Sequence, residues 1–177
     1  MPRQVLLLLP VVVGLLAGGC GGNDTAVAPP TVPRALPKPS EGFFVEKPAQ
    51  ITHDVVERGP SRRFHGVEWT KMDTVMVGTL GAILGAGDYE SLEAQMKKSE
   101  RECASGDCGL FRVPVAVRDQ LAVLTHPDLF ARRWAATQAM QLDRVSLSDL
   151  RPVIVGLRRL AREAKAAGSQ LWVWRSL

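Results

Sequence analysis

The chain's strongest pattern of apolar positions lies near its end. Leu150, Val153, Ile154, Leu157, Leu160, Ala161 and Ala164 recur at intervals of three and four, the period of one buried helical face. Ser146 or Ser148 opens that helix, Pro152 keeps its start near that point, and Gly168 ends it. Leu171 to Leu177 then predicts a closing strand. Upstream, Met72, Val75, Met76, Thr79, Leu80, Ile83 and Leu84 predict a helix between a Thr70/Asp73 capping box and a stop at Gly85 and Gly87. Asp88 to Glu102 predicts a more polar helix that turns Tyr89, Leu92 and Met96 inward. Val117, Leu121 and Leu124 continue a stripe begun after Pro114, a good first-turn residue. A further helix opens with Thr125 as cap, Pro127 in the first turn and Asp128 completing a capping box, with Phe130, Trp134, Thr137 and Gln141 facing inward. Residues 41–69 are weaker: Phe43 to Val45 and Ile51 to Val56 predict short strands, and Gly59-Pro60-Ser61 a turn. The expectation is a mainly α fold of α+β type, with about five helices and a small β element that includes the C-terminal strand.

The first nineteen residues break this periodicity. Arg3 gives a short positive start, Val5 to Leu16 carry no charge, and small residues lead to Cys20, the layout of an export signal. Val5 to Gly19 is fifteen residues, which as a helix covers roughly 22 Å. That falls short of a hydrocarbon core about 30 Å thick, so a signal's apolar region fits better than a span. Leu16-Ala17-Gly18-Gly19-Cys20 resembles the lipobox of bacterial lipoproteins, although the commonest pattern has Leu where Ala17 stands. The resemblance implies cleavage before Cys20, a diacylglycerol on its thiol and a further acyl chain on its amine, with no other cofactor. Two or three chains make membrane attachment effectively permanent, where one gives only marginal binding. Gly21 follows in place of the Asp that retains such proteins at the inner membrane, so the resemblance implies the outer membrane, with the domain facing the periplasm.

Residues 20–40 hold Pro29, Pro30, Pro33, Pro37 and Pro39, which interrupt regular structure and favour an extended tether. The expected organisation is a signal over 1–19, a lipidated tether over 20–40, and one mainly helical soluble domain over 41–177. Composition changes this picture little. The whole chain carries a net charge of +4, and removing the signal with its single charge, Arg3, leaves +3. That is no nucleic-acid footprint, and export separates the domain from cytosolic DNA and RNA. Of three cysteines, lipidation uses Cys20, leaving Cys103 and Cys108 at the ends of a Gly-containing loop. In an oxidising compartment a disulfide is their default state, with two free thiols or metal and redox chemistry as alternatives.

Catalytic patterns do not emerge. The chain lacks a G-x-S-x-G elbow, an H-E-x-x-H pair and a phosphate-binding loop. Gly78, Gly81 and Gly85 lie inside a helical pattern with no Lys-Ser or Lys-Thr after them, so close helix packing explains them better than a nucleotide loop. His53, His65 and His126 show no metal-ligand spacing. His53-Asp54 and His126 could join in a base-and-orienter arrangement, but His126 already reads as a helix-start residue. Arg151, Arg158, Arg159, Arg162 and Lys165 concentrate positive charge on the side of the last helix away from its apolar stripe. That side is a solvated face or, alternatively, a docking face for an acidic protein or lipid headgroups. Trp172 and Trp174 share one side of the closing strand, placed for core packing or, alternatively, for stacking on a glycan.

Arg133-Trp-Ala-Ala-Thr-Gln138, the amphipathic helix after it and the terminal Leu-Trp-Val-Trp-Arg-Ser-Leu are similar to a group of uncharacterised bacterial domains, over roughly Val67 to Leu177. Those domains often carry acids after the W-A-A-T run, where this chain has Gln138 and Ala139. The resemblance brings no activity with it. What the sequence leaves is a membrane-anchored, non-enzymatic interaction domain with a protein partner, for example an immunity protein against a periplasmic toxin. The alternative is a structural or assembly lipoprotein that contacts peptidoglycan or an envelope complex.

Overall fold

Among the described residues a five-stranded antiparallel sheet organises the fold, and the last strand in chain order is its middle member. The structure is a computed structural model that describes residues 42–60, 64, 66–69 and 72–176; all of them belong to one compact unit, Pro37–Leu177. The strands are β1 (Gly42–Glu46), β2 (Gly66–Glu68), β3 (Arg101–Glu102), β4 (Cys108–Arg112) and β5 (Gln170–Ser176), in the order β2-β1-β5-β4-β3. The described helices are α1 (His53–Arg58), α2 (Thr74–Ile83), α3 (Tyr89–Ser99), α4 (Val115–Val123), α5 (Pro127–Ala135), α6 (Gln138–Leu142) and α7 (Leu147–Ala166), with a single 3-10 turn at Pro48–Gln50. The fold is mixed α+β and mainly helical, with more helices and strands than the sequence pattern predicts.

Alternation along the strands divides the core in two. Phe43, Phe111, Leu171 and Val173 face a helical layer of α2, α4, α5 and α7. Their neighbours Phe44, Leu110, Trp172 and Trp174 point to the opposite face, where Val55 and Val56 of α1 close a smaller cluster. Successive strand residues must point to opposite faces, so the register of β5 between β1 and β4 fixes both layers at once.

Helix α7 supplies the largest apolar stripe of the helical layer. All seven predicted stripe residues, Leu150 to Ala164, are buried. Each fully buried aliphatic side chain contributes about 1.5–3 kcal/mol relative to exposure. The Ser146 side chain accepts the Asp149 N–H, and the Asp149 carboxylate accepts from Ser146 N–H, a reciprocal cap on the first turn. At the other end Gly168 adopts φ +61°, and Ser169 N–H donates back to the Ala164 carbonyl at 2.8 Å.

Several predicted elements differ in the structure. Ile51 to Val56 is not a strand: Ile51 packs in the smaller cluster and the chain enters α1 at His53. The polar helix from Asp88 stops at Ser99, and Arg101–Glu102 becomes the edge strand β3. Asp73, not Thr70, caps α2, its carboxylate accepting from Met76 N–H at 2.8 Å; Thr70 lies outside the described residues. The buried face of α2 is rotated from the predicted one, with Val77, Gly78 and Gly81 inside and Val75 40% exposed. A Cβ at Gly81 would stand 2.6 Å from Leu92 Cδ1 and 2.7 Å from Val117 Cγ2, so this glycine lets α2 approach α3 and α4 closely. The single helix predicted from Thr125 to Gln141 is two. His126 occupies the N-cap of α5 without a side-chain cap, and Thr137 turns extended, its hydroxyl donating to the Trp134 carbonyl at 2.7 Å. Met140, rather than Gln141, then reaches the core.

Candidate functional site

The five basic residues of α7 do not all face open solvent. Arg151, Arg158, Arg162 and Lys165 lie on the flank of α7 that adjoins α4 and α5, and three of these four reach groups on those helices. Arg151 Nε is 3.4 Å from Asp128 Oδ1 at the start of α5. Arg162 Nε donates to the Ala122 carbonyl at 2.9 Å, satisfying one of the last carbonyls of α4. Lys165 Nζ is 3.9 Å from Asp119 Oδ1, a loose pair. Arg159 is exposed and pairs with Glu163 one turn on at 2.8 Å. Arg158 is half-buried, and its Nε is sealed from solvent without a hydrogen-bond partner among the described residues. These pairs are half-exposed, so each contributes at most about 1 kcal/mol to stability. Their main consequence is to order long side chains along one seam.

The surface around that seam carries further charge and apolar atoms. Leu129, Arg132 and Arg133 share the outward side of α5 at spacings of three and four, and all are exposed. Val155 sits between Arg151 and Arg158 on α7 and is 55% exposed, and Val123 at the end of α4 is 59% exposed.

A second corner joins the hairpin β3–β4 to α1. Cys103 and Cys108 form a disulfide across the hairpin, with Cα atoms 5.5 Å apart. Cys103 N–H donates to the Cys108 carbonyl at 3.2 Å, and Ala104 N–H donates to Glu57 Oε1 of α1 at 2.9 Å. Both cysteines are buried in the smaller cluster. Trp172 and Trp174 are buried there as well, at 3% and 2% exposure, and offer no ring face to a glycan. Each indole N–H is satisfied by a backbone carbonyl, Trp172 by Glu46 at 3.2 Å and Trp174 by Val56 at 3.0 Å.

The histidines are not brought together. His53 is largely exposed on α1, 3.5 Å from Glu57, whereas His126 starts α5 on the other side of the sheet; His65 lies outside the described residues. Among the described residues no group of three or more His, Cys, Asp or Glu could hold a metal ion, and no helix is long and apolar enough to cross a membrane. Cys20 and residues 1–41 lie outside the described residues.

No family model, curated protein or solved structure matches this chain. Arg132 and Arg133 lie outside the apolar periodicity of α5, so the buried face alone does not mark them as site residues. The signal that finds them is their three- and four-residue offset from an exposed Leu129.

Proposed function

We propose that the chain is a bacterial envelope lipoprotein, held on the outer membrane by a diacylglycerol and an acyl chain on Cys20, whose folded domain binds a protein partner in the periplasm without catalysing a reaction. The observation that carries this reading is the uncharged run Val5 to Leu16 ending in Leu16-Ala17-Gly18-Gly19-Cys20. Cysteine usage supports it: a disulfide between Cys103 and Cys108 leaves Cys20 as the remaining thiol of three. A bonded pair suits an oxidising compartment. In its narrower form the reading is an immunity protein that neutralises a toxin delivered to the periplasm, a task that needs a shaped surface and no chemistry.

Metabolic labelling with palmitate tests the anchor. The parent chain takes up label and fractionates with membranes, whereas Cys20→Ala takes up none. Label retained in Cys20→Ala, or an unlabelled parent in the soluble fraction, overturns the reading. The narrower form is tested by exposing cells to the toxin with and without this chain; equal killing counts against it.

A further inference from the structure

Resting on the interaction-domain reading, we infer that the partner docks on the exposed face formed by α5, α7 and the end of α4, and that the partner is a protein with an acidic surface surrounding an apolar residue. Arg151, Val155, Arg158, Arg162 and Lys165 succeed one another along α7 at spacings of four, three, four and three, a single stripe. Arg151 joins this stripe to α5 through Asp128, and Arg162 joins it to α4 through the Ala122 carbonyl. The outward side of α5 adds Leu129, Arg132 and Arg133. The face therefore carries seven basic side chains, those of Arg132, Arg133, Arg151, Arg158, Arg159, Arg162 and Lys165, against the carboxylates of Asp119, Asp128 and Glu163. Seven less three leaves four positive charges in excess among these side chains.

Charge complementarity and side-chain chemistry favour a protein carboxylate surface over a lipid surface. Six of the seven basic groups are arginines, whose planar fork matches carboxylates bidentately and which are enriched at protein interfaces while lysine is depleted. Arg151, Arg159 and Arg162 are already held by neighbouring groups, which lowers the rotamer entropy lost on docking. Leu129, Val123 and Val155, 59%, 59% and 55% exposed, give the apolar contacts that the charged rim would shield from water. Among the described residues the large hydrophobic side chains that stand exposed are aliphatic, without the Trp or Tyr that anchor proteins at a membrane interface.

The test uses the full chain in neutral detergent micelles and a fluorescent amphipathic peptide of Glu and Leu as probe. Arg132→Glu with Arg133→Glu is expected to weaken binding about tenfold or more, by reversing two charges on the face. Leu129→Ser with Val155→Ser is expected to weaken it at unchanged charge. Lys47→Glu with Lys98→Glu makes the same net charge change elsewhere and is expected to leave binding within about twofold. Circular dichroism confirms that each variant is folded. Failure of the parent to bind the probe, or equal loss in the Lys47/Lys98 control, overturns the inference. Tighter binding to phosphatidylglycerol vesicles than to the peptide, lost in the Arg132/Arg133 variant, overturns the protein partner in favour of a lipid one. The palmitate experiment reads the anchor independently, so failure of this face and failure of the lipoprotein reading are distinguishable.

Discussion

Reducing the Cys103–Cys108 disulfide is expected to destabilise the domain by a modest amount that can be calculated beforehand. The two residues are separated by five positions, so the bond closes a loop of six residues. The chain-entropy relation for a six-residue loop gives about 7.4 cal/mol/K, or about 2 kcal/mol at 25 °C. The native hairpin does not depend on the bond for its alignment: Cys103 N–H pairs with the Cys108 carbonyl, and β4 is held against β5 over five residue pairs from Cys108↔Ser176 to Arg112↔Trp172. The effect therefore falls mainly on the unfolded chain, which regains freedom when the bond opens. For a domain of this size about 2 kcal/mol corresponds to a fall in Tm of roughly 8 °C. Urea titration followed by tryptophan fluorescence, with and without a phosphine reductant, measures the midpoint and the slope together. The midpoint is expected to fall with little change in slope. Cys103→Ala with Cys108→Ala should behave like the reduced protein, apart from a small packing loss. Equal stability of the two redox forms to within about 0.3 kcal/mol would refute the entropic reasoning. A loss above about 5 kcal/mol would refute it from the other side, by showing that the bond holds native packing together.

Other perturbations probe single features of the fold. Trp174→Phe leaves the Val56 carbonyl without its indole donor and is expected to cost about 1–3 kcal/mol, against about 3–5 kcal/mol for Trp174→Ala, both read by urea titration. Ser146→Ala removes one half of the reciprocal cap on α7 and is expected to lower stability by about 1 kcal/mol, measured as a shift in Tm. Burial, with the Glu93 carboxylate beside it, raises the Tyr89 phenol above its ordinary pKa of 10.0. The folded state then holds that proton more tightly than the unfolded state. Its contribution is complete below pH 10 and is lost as pH rises through the raised value. In Tyr89→Phe the corresponding alkaline slope of stability against pH should be absent.

Much of the helical layer was legible because α7 obeys a local rule. A buried stripe of seven residues with a cap at each end is specified by its own sequence, and the structure buries all seven. The β element was less legible because its pairing is not local: β1 and β5 meet across more than a hundred residues, as Phe43 does with Val173. Only the first and last strands in chain order, Phe43 to Val45 in β1 and Leu171 onward in β5, carry enough β-branched and aromatic residues to show alone. β3 and β4 do not, since Arg101, Glu102 and Gly109 have low strand preference and are held there by the hairpin and by β5. The break between α5 and α6 was hidden for a related reason, because Trp134 and Thr137 keep helical spacing while the Thr137 hydroxyl takes a backbone carbonyl. At the candidate site, the helical period placed the arginines of α7 on one flank. It could not say that α4 and α5 border that flank and add their own charged and aliphatic side chains. The tryptophans of β5 show the converse: alternation put them on one face, and only the placement of α1 over that face buries them.

Lipid attachment is tested most directly by the intact mass of the chain extracted from membranes of its own host. The expected mass is that of a polypeptide beginning at Cys20, increased by a diacylglycerol and one further acyl chain and decreased by two hydrogens for the Cys103–Cys108 bond. A chain that still begins at Met1, or one that begins at or after Cys20 without lipid, contradicts the account.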